Sequence, residues 1–386
     1  MSHAALATWC RLVCEDGRAP VPPSDDLRVL HATLSANRLV PAVVRALRMQ
    51  RTSGAGEQHT DREPMSPTDV APGLAATLRD EARLAAERSL DAISTLHRVA
   101  RSLDGVGISW MLWKGPALSM LVWGEPGIRQ FSDLDIVIAP RDRETALAAL
   151  AADGWRAQGG HSRALARAVH AATRAYPLTR PGSIPIELHW AFAGMHYPPW
   201  GDVAATAARA ATVEVGGLVV RTPSGADALL LCALHATKHG WSQAEDVVMF
   251  TRLALREPNV VAIANARAEE AGVGTAMRLG VLLAAQLCDV GLPAHPASAR
   301  EQARVRAMAD ACVSRMESGA GAWRKTHAWT IGWVRRPSHR VRYAAVALLA
   351  PSLQEWNWLE LPDSLVWAYP IVRLARLALR TVGLAG

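Results

Sequence analysis

The sequence predicts a small α/β (α+β) core, a mixed sheet with flanking helices, inside an otherwise helical chain of 386 residues. Three observations predict it. Short apolar runs bounded by turn residues, Ile108–Trp113, Asp133–Ala139 and Pro185–Ala191, read as strands. Apolar stripes at helical spacing precede them, and from Ser224 onward almost every segment has helical character. With half the residues apolar and a fifth charged, the composition is that of a globular protein. It rules out long-range disorder, collagen and a disulfide-rich miniature scaffold.

Residues 1–49 form the first segment, helical on the recurrence of Leu27, Val29, Leu30, Leu34, Leu39 and Val40, then Val43, Val44 and Leu47. Residues 50–72 are polar and rich in Pro and Gly, a linker or loop with nothing to bury. The core is predicted over 73–223. It opens with a long amphipathic helix from Leu74 to Leu103, with Leu90, Ile93, Leu96, Ala100 and Leu103 on one face. The strand Ile108–Trp113 then leads through Lys114-Gly115-Pro116 into a short helix, Ala117–Trp123. The second strand is Asp133–Ala139, followed by a helix from Arg141 to Ala152 and another from Ser162 to Arg174. Pro185–Ala191 is the third strand, and Leu218–Arg221 is an edge strand. Residues 224–386 make a helical C-terminal region.

The five cysteines, Cys10, Cys14, Cys232, Cys288 and Cys312, are odd in number and scattered, so buried free thiols in a reducing compartment are expected. The N-terminus lacks the pattern of a signal peptide, and no run approaches the roughly 18 apolar residues of a membrane span. The expectation is a cytoplasmic protein with no transmembrane segment. The net charge is +7, and residues 301–386 alone hold 12 Lys and Arg against 6 Asp and Glu. Six basic residues and no acid lie between Arg324 and Arg342. That stretch reads first as a solvated basic helix face and second as a surface for a polyanion.

The carboxylates are the most informative residues. Side chains two apart on a strand share a face, so Asp133 and Asp135 point together while Leu134, Ile136 and Ile138 pack on the other side. Two such carboxylates repel unless a cation lies between them, and hard oxygen ligands suit Mg²⁺ or Mn²⁺. Glu187 and His189 share a face of the third strand by the same spacing. If the two strands are neighbours, three carboxylates converge, the minimum for a two-metal phosphate site. Upstream, Gly115 permits close backbone approach, the following helix N-terminus offers free N–H groups, and Lys114 adds a charge.

Leu112-Trp-Lys-Gly-Pro-Ala-Leu118, Gly127-Ile-Arg-Gln-Phe-Ser-Asp-Leu-Asp-Ile-Val137 and Ile186-Glu-Leu-His-Trp190 together resemble the uncharacterised nucleotidyltransferase family of the DNA polymerase β-like superfamily. His235-Ala-Thr-Lys-His-Gly-Trp241 and Asp246 resemble the helical segment of that family. The resemblance covers about 108 to 250. It implies a metal triad of Asp133, Asp135 and Glu187 and transfer of a nucleoside monophosphate from NTP, with ATP the expected nucleotide. The wider superfamily has a Gly-Ser pair after the first strand, whereas this chain has Gly115-Pro116. Phosphate grip is therefore assigned to backbone N–H groups, Lys114 and Arg129, with Gly115 and Ser132 in the same cradle. Lys238 and His239 extend it toward the nucleotide or acceptor.

The acceptor is a hydroxyl on a small molecule, peptide or protein, with nucleic acid less favoured. A phosphoryl transferase using the same metals, and a non-catalytic nucleotide- or polyanion-binding protein, are the alternatives. The zincin pattern fails because position 236 is Ala, and neither a Gly-x-Ser-x-Gly elbow nor a Gly-x-Gly-x-x-Gly fingerprint occurs. The apolar segment from Val366 to Leu384 has Arg373, Arg376 and Arg380 three and four apart, which predicts first a last core helix with a basic outer face and second a helix lying on an anionic membrane.

Overall fold

In a computed structural model the described residues are 2–19, 21, 27–54, 72–157, 163–198, 200–318 and 327–381. The N-terminal segment contributes helices α1 (His3–Cys14), α2 (Leu27–Ala36) and α3 (Val40–Gly54), and the long helix α4 comes next (Pro72–Asp104). Most of the predicted 50–72 linker lies outside the described residues. The core continues with β1 (Trp110–Trp113), α5 (Gly115–Trp123), β2 (Leu134–Ile138) and α6 (Arg143–Ala152). Next come β3 (Arg156–Ala157), α7 (Arg163–Thr173), β4 (Ala175–Thr179) and β5 (Ile186–His189). A short helix α8 (Val203–Ala208) leads to the strands β6 (Ala211–Val215) and β7 (Leu218–Thr222).

The main sheet is mixed, in the order β1-β2-β5-β4-β3. β2 and β5 run parallel in the register Leu134↔Ile186, Asp135↔Glu187, Val137↔His189, and the other neighbours are antiparallel. Period-two alternation sorts the side chains cleanly. Leu112, Leu134, Ile136, Ile138, Ile186 and Leu188 join one buried cluster with Ala92, Leu96, Val99 and Leu103 of α4 and Ala146 and Leu150 of α6. Full burial of each Leu or Ile there is worth about 1.5–3 kcal/mol. Asp135, Glu187 and His189 alternate with these residues and so lie on the opposite face.

Three elements depart from expectation. The buried stripe of α4 passes through Ser89, Ala92, Leu96, Val99 and Leu103, which puts Leu90, about 100° round the helix from Ser89, in solvent. β4 contains Pro177, which fits a strand because β3 pairs only with Leu178 and Thr179, leaving Pro177 no ladder bond to donate on that side. Leu218–Thr222 is not an edge of the main sheet. It forms its own hairpin with β6 through Gly216-Gly217, both at positive φ, as a tight hairpin turn requires.

Helices α9 (Gly225–Lys238), α10 (Ala244–Arg256), α11 (Val260–Ala271), α12 (Gly274–Cys288) and α13 (Ala299–Ser318) build the C-terminal bundle. Their apolar faces share one large cluster with α1 and α3. Asn37, just past α2, ties the two ends of the chain together. Its amide donates to the Met316 carbonyl, and its Oδ1 accepts from the Ala244 N–H at the start of α10. The last helices are α14 (His327–Trp333), α15 (Pro337–Leu349), α16 (Leu353–Trp358) and α17 (Tyr369–Thr381).

Arg373 and Arg376 of α17 do not contribute to a basic outer face. Arg373 and Arg376 turn inward onto Glu355 of α16, at 3.1 and 2.6 Å, and Glu355 is fully buried. A buried carboxylate must be paired, and this one takes two cations. In the basic stretch, Arg335 and Arg336 stay exposed, as a solvated face predicts, although they have partners. Arg335 pairs with Glu269 at 2.5 Å, while Arg336 and Arg342 donate to the carbonyls of Glu270 and Tyr197. Arg324 lies outside the described residues. The five cysteines are free, with Cys10, Cys288 and Cys312 buried. No described helix is long and apolar enough to cross a membrane.

Candidate functional site

The site lies on the sheet face opposite α4. The parallel register sets Asp135 directly across from Glu187, and His189 two residues further along β5. His189 Nε2 is 2.9 Å from Asp135 Oδ1 and 3.2 Å from Glu187 Oε2. Ligand atoms of these three residues all lie within 4.8 Å of one another. Asp133 sits beside this group at the entry to β2, half-buried, and feels the charges of both Asp135 and Glu187.

Lys114 joins the cluster from the end of β1. Its Nζ is 3.0 Å from Asp135 Oδ1 and 4.0 Å from the centroid of the Trp113 ring. Delivering that ammonium requires unusual backbone: Lys114 has φ +63° and ψ −149°, and Gly115 follows at φ +48°. The Lys114 conformation is almost confined to glycine elsewhere and costs about 1–3 kcal/mol, so the surrounding packing holds it. The turn ends in α5, with Pro116 in its first turn, and Gly115 and Pro116 are buried.

The electrostatics arise from burial and spacing. Burial would raise the Asp135 pKa, but the Lys114 ammonium and the His189 hydrogen bond hold it well below the usual carboxylate range. The hydrogen bond from His189 lowers Glu187 as well. Burial pulls His189 down, and its bonds to Asp135 and Glu187 outweigh this and raise it. Asp133 differs: burial and the charges of Asp135 and Glu187 push it up. The cluster thus has one carboxylate whose ionised form lacks a close positive partner of its own, as expected of ligands that share a cation.

Arg129 is buried and lines a narrow cavity with Lys114, Trp113, His235 and Asp246. Among the described residues its guanidinium has no hydrogen-bond partner, while its charge acts on Asp133, Glu245 and Asp246. Lys238 of α9 faces the same centre: burial and Lys114 lower its pKa, and Glu187 and Asp135 pull it back up. His239 is exposed at the end of α9, its ring 4.6 Å from that of His235. Ser132 is exposed in the turn before β2.

Two participants have no role assigned from the sequence. His189 bridges the carboxylates, and its i, i+2 spacing from Glu187 is the signal that could have assigned it. Glu245 accepts the Gln130 N–H at 2.9 Å from 115 positions away, and burial raises its pKa to about 7 despite Arg129. No local pattern announces that contact.

Two carboxylates and one imidazole, Asp135, Glu187 and His189, form the convergent set, with the Asp133 carboxylate beside it rather than in it, and this oxygen-rich chemistry fits Mg²⁺ or Mn²⁺. A family model described as an uncharacterised nucleotidyltransferase matches residues 23–289. No curated protein matches the chain.

Proposed function

The chain belongs to the uncharacterised nucleotidyltransferase family, and from that premise we propose that it moves a nucleoside monophosphate from NTP, with ATP the expected donor, to an acceptor hydroxyl on a small molecule, peptide or protein. The register that sets Asp135 opposite Glu187, with Lys114 on Asp135, carries the reading.

Asp133, Asp135 and Glu187 would hold Mg²⁺ or Mn²⁺, which when bound supplies positive charge to the triphosphate and the attacking oxygen. Lys114 and Arg129 neutralise negative charge that grows on the phosphates as the bond to the leaving pyrophosphate breaks. The N–H groups that open α5 from Gly115 donate to phosphate oxygens, and Ser132, Lys238 and His239 line the approach. Glu187, partly exposed, takes the proton of the acceptor hydroxyl as its oxygen forms the new bond to the α-phosphorus. His189 holds Asp135 and Glu187 in one orientation throughout.

The test tracks α-³²P- and γ-³²P-labelled NTPs into a cell extract with Mg²⁺ or Mn²⁺, with an Asp133→Ala/Asp135→Ala double variant as control. Transfer of the α-label that falls at least a hundredfold in the variant is the expected result, since an essential charge-stabilising group is worth about 10²–10³ in rate. Transfer of the γ-label alone makes the protein a phosphoryl transferase. Silence with both labels, alongside tight nucleotide binding, favours the non-catalytic binder.

A further inference from the structure

The last helices present an apolar surface that no described residue covers. On α15 the exposed positions Val341, Ala344, Ala345, Leu348 and Leu349 recur at i, i+3, i+4, i+7 and i+8, the pattern of a helix face built for burial. On α17 and the turn before it, Trp367, Ile371 and Leu374 repeat the spacing, with Trp367 69 % and Ile371 62 % exposed. The polar side of α17 faces inward instead, through Arg373 and Arg376 on buried Glu355, and Arg373 also donates to the Ala347 carbonyl of α15. The two helices are thus locked together by their polar groups, with apolar stripes left outside.

We propose that this helix pair is a self-association surface, covered by the same pair from a second copy of the chain. Two observations select that occupant. The first is area. Taking about 200 Å² for a fully exposed large side chain, Val341, Leu348, Leu349, Trp367, Ile371 and Leu374 of the two stripes offer roughly 700 Å². A stable interface takes about 600–1,000 Å² from each partner. The second is charge. The chain carries +7, so two copies meet at least cost through a face free of ionised groups, and the exposed stripe positions are all apolar. An anionic bilayer is the poorer fit. Arg373 and Arg376 are turned away from it, and Glu360 and Asp363 are exposed beside Leu359 and Leu365. The polar 55–71 segment has little apolar surface with which to cover the face. None of these residues belongs to the carboxylate site, so the inference stands or falls apart from the proposed reaction.

Sedimentation equilibrium on the full chain tests it. The expected mass is twice 41.5 kDa at about 10–50 µM. A Trp367→Glu/Ile371→Glu double variant, and separately Leu348→Glu, are expected to weaken association at least tenfold with helicity and melting temperature unchanged. A wild-type chain that stays monomeric at about 50 µM overturns the proposal without reference to any variant. So does dimerisation that survives in both variants. A monomer that pellets with phosphatidylserine-containing vesicles also overturns it and assigns the face to lipid.

Discussion

Lys114 does two things that oppose one another. Its ammonium stabilises buried Asp135 at 3.0 Å, while its backbone occupies a conformation suited to glycine. Lys114→Ala and Lys114→Gly both remove the ammonium, and only the second relieves the backbone. The glycine variant should therefore be more stable than the alanine variant by about 1–3 kcal/mol in urea unfolding, with label transfer lost equally in both. Gly115→Ala, at φ +48°, should cost about 1–2 kcal/mol by the same measurement. Glu245 sets a pH dependence. Its pKa is about 7 in the folded protein against 4.5 for an ordinary glutamate, so between those values the folded state holds a proton that the unfolded state has released. Stability from this group is full below pH 4.5 and declines as pH rises to about 7, by roughly 3 kcal/mol in all. Glu245→Gln keeps an acceptor for the Gln130 N–H and should flatten the curve in that window. Equal slopes for the two proteins in chemical unfolding from about pH 4.5 to 7.5 would contradict the assignment.

Among the elements, the α16–α17 contact has the most to lose from one substitution. Arg376→Met leaves Glu355, fully buried, with Arg373 as its remaining cation, and should cost about 3 kcal/mol, read as earlier exchange of the α17 amides. Glu355→Gln combined with Arg376→Met should recover part of that loss. The same elements show how much of the fold was legible in the sequence. The strands that carry the carboxylates announce themselves as short apolar runs bounded by turn residues, Leu134–Ile138 being buried throughout and Ile186–His189 alternating between core and cleft. β4 is hidden because Pro177 argues against a strand unless the two-residue length of β3 is known. β6 escapes notice, although Gly216-Gly217 before Leu218 is a hairpin signal. Arg373 and Arg376 mislead for a physical reason: their spacing locates a face, but only the partner, Glu355 some twenty residues earlier, says whether that face is inside. For the candidate site, pairing of β2 with β5 decides everything, and strand pairing leaves no mark on either strand.

At the scale of the whole molecule, the matched family region, 23–289, contains the sheet, the carboxylate site and the bundle helices through α12, while α13 to α17 lie beyond it. The apolar stripes of α15 and α17 therefore belong to the C-terminal helices outside the family match. Asn37 joins the two parts. Asn37→Ala would leave the Met316 carbonyl and the Ala244 N–H without their partner, for a loss of about 2–4 kcal/mol in thermal or urea unfolding. Because Glu245 comes directly after Ala244, donates its own N–H to the Asn37 carbonyl at 3.1 Å and holds Gln130, label transfer should also fall in that variant. Unchanged transfer would separate the N-terminal helices from the site.

That asparagine also bears on the order in which a growing chain can close. The residues that complete its bonds emerge from the ribosome 207 and 279 positions after it, and Glu187 appears after Asp135 only when two helices and two strands have been made. Translation at about 5–20 residues per second leaves the first helices without those partners for some tens of seconds. During that interval their apolar faces are the natural targets of chaperones, and synonymous codon changes that slow synthesis between positions 37 and 316 should lengthen the exposure.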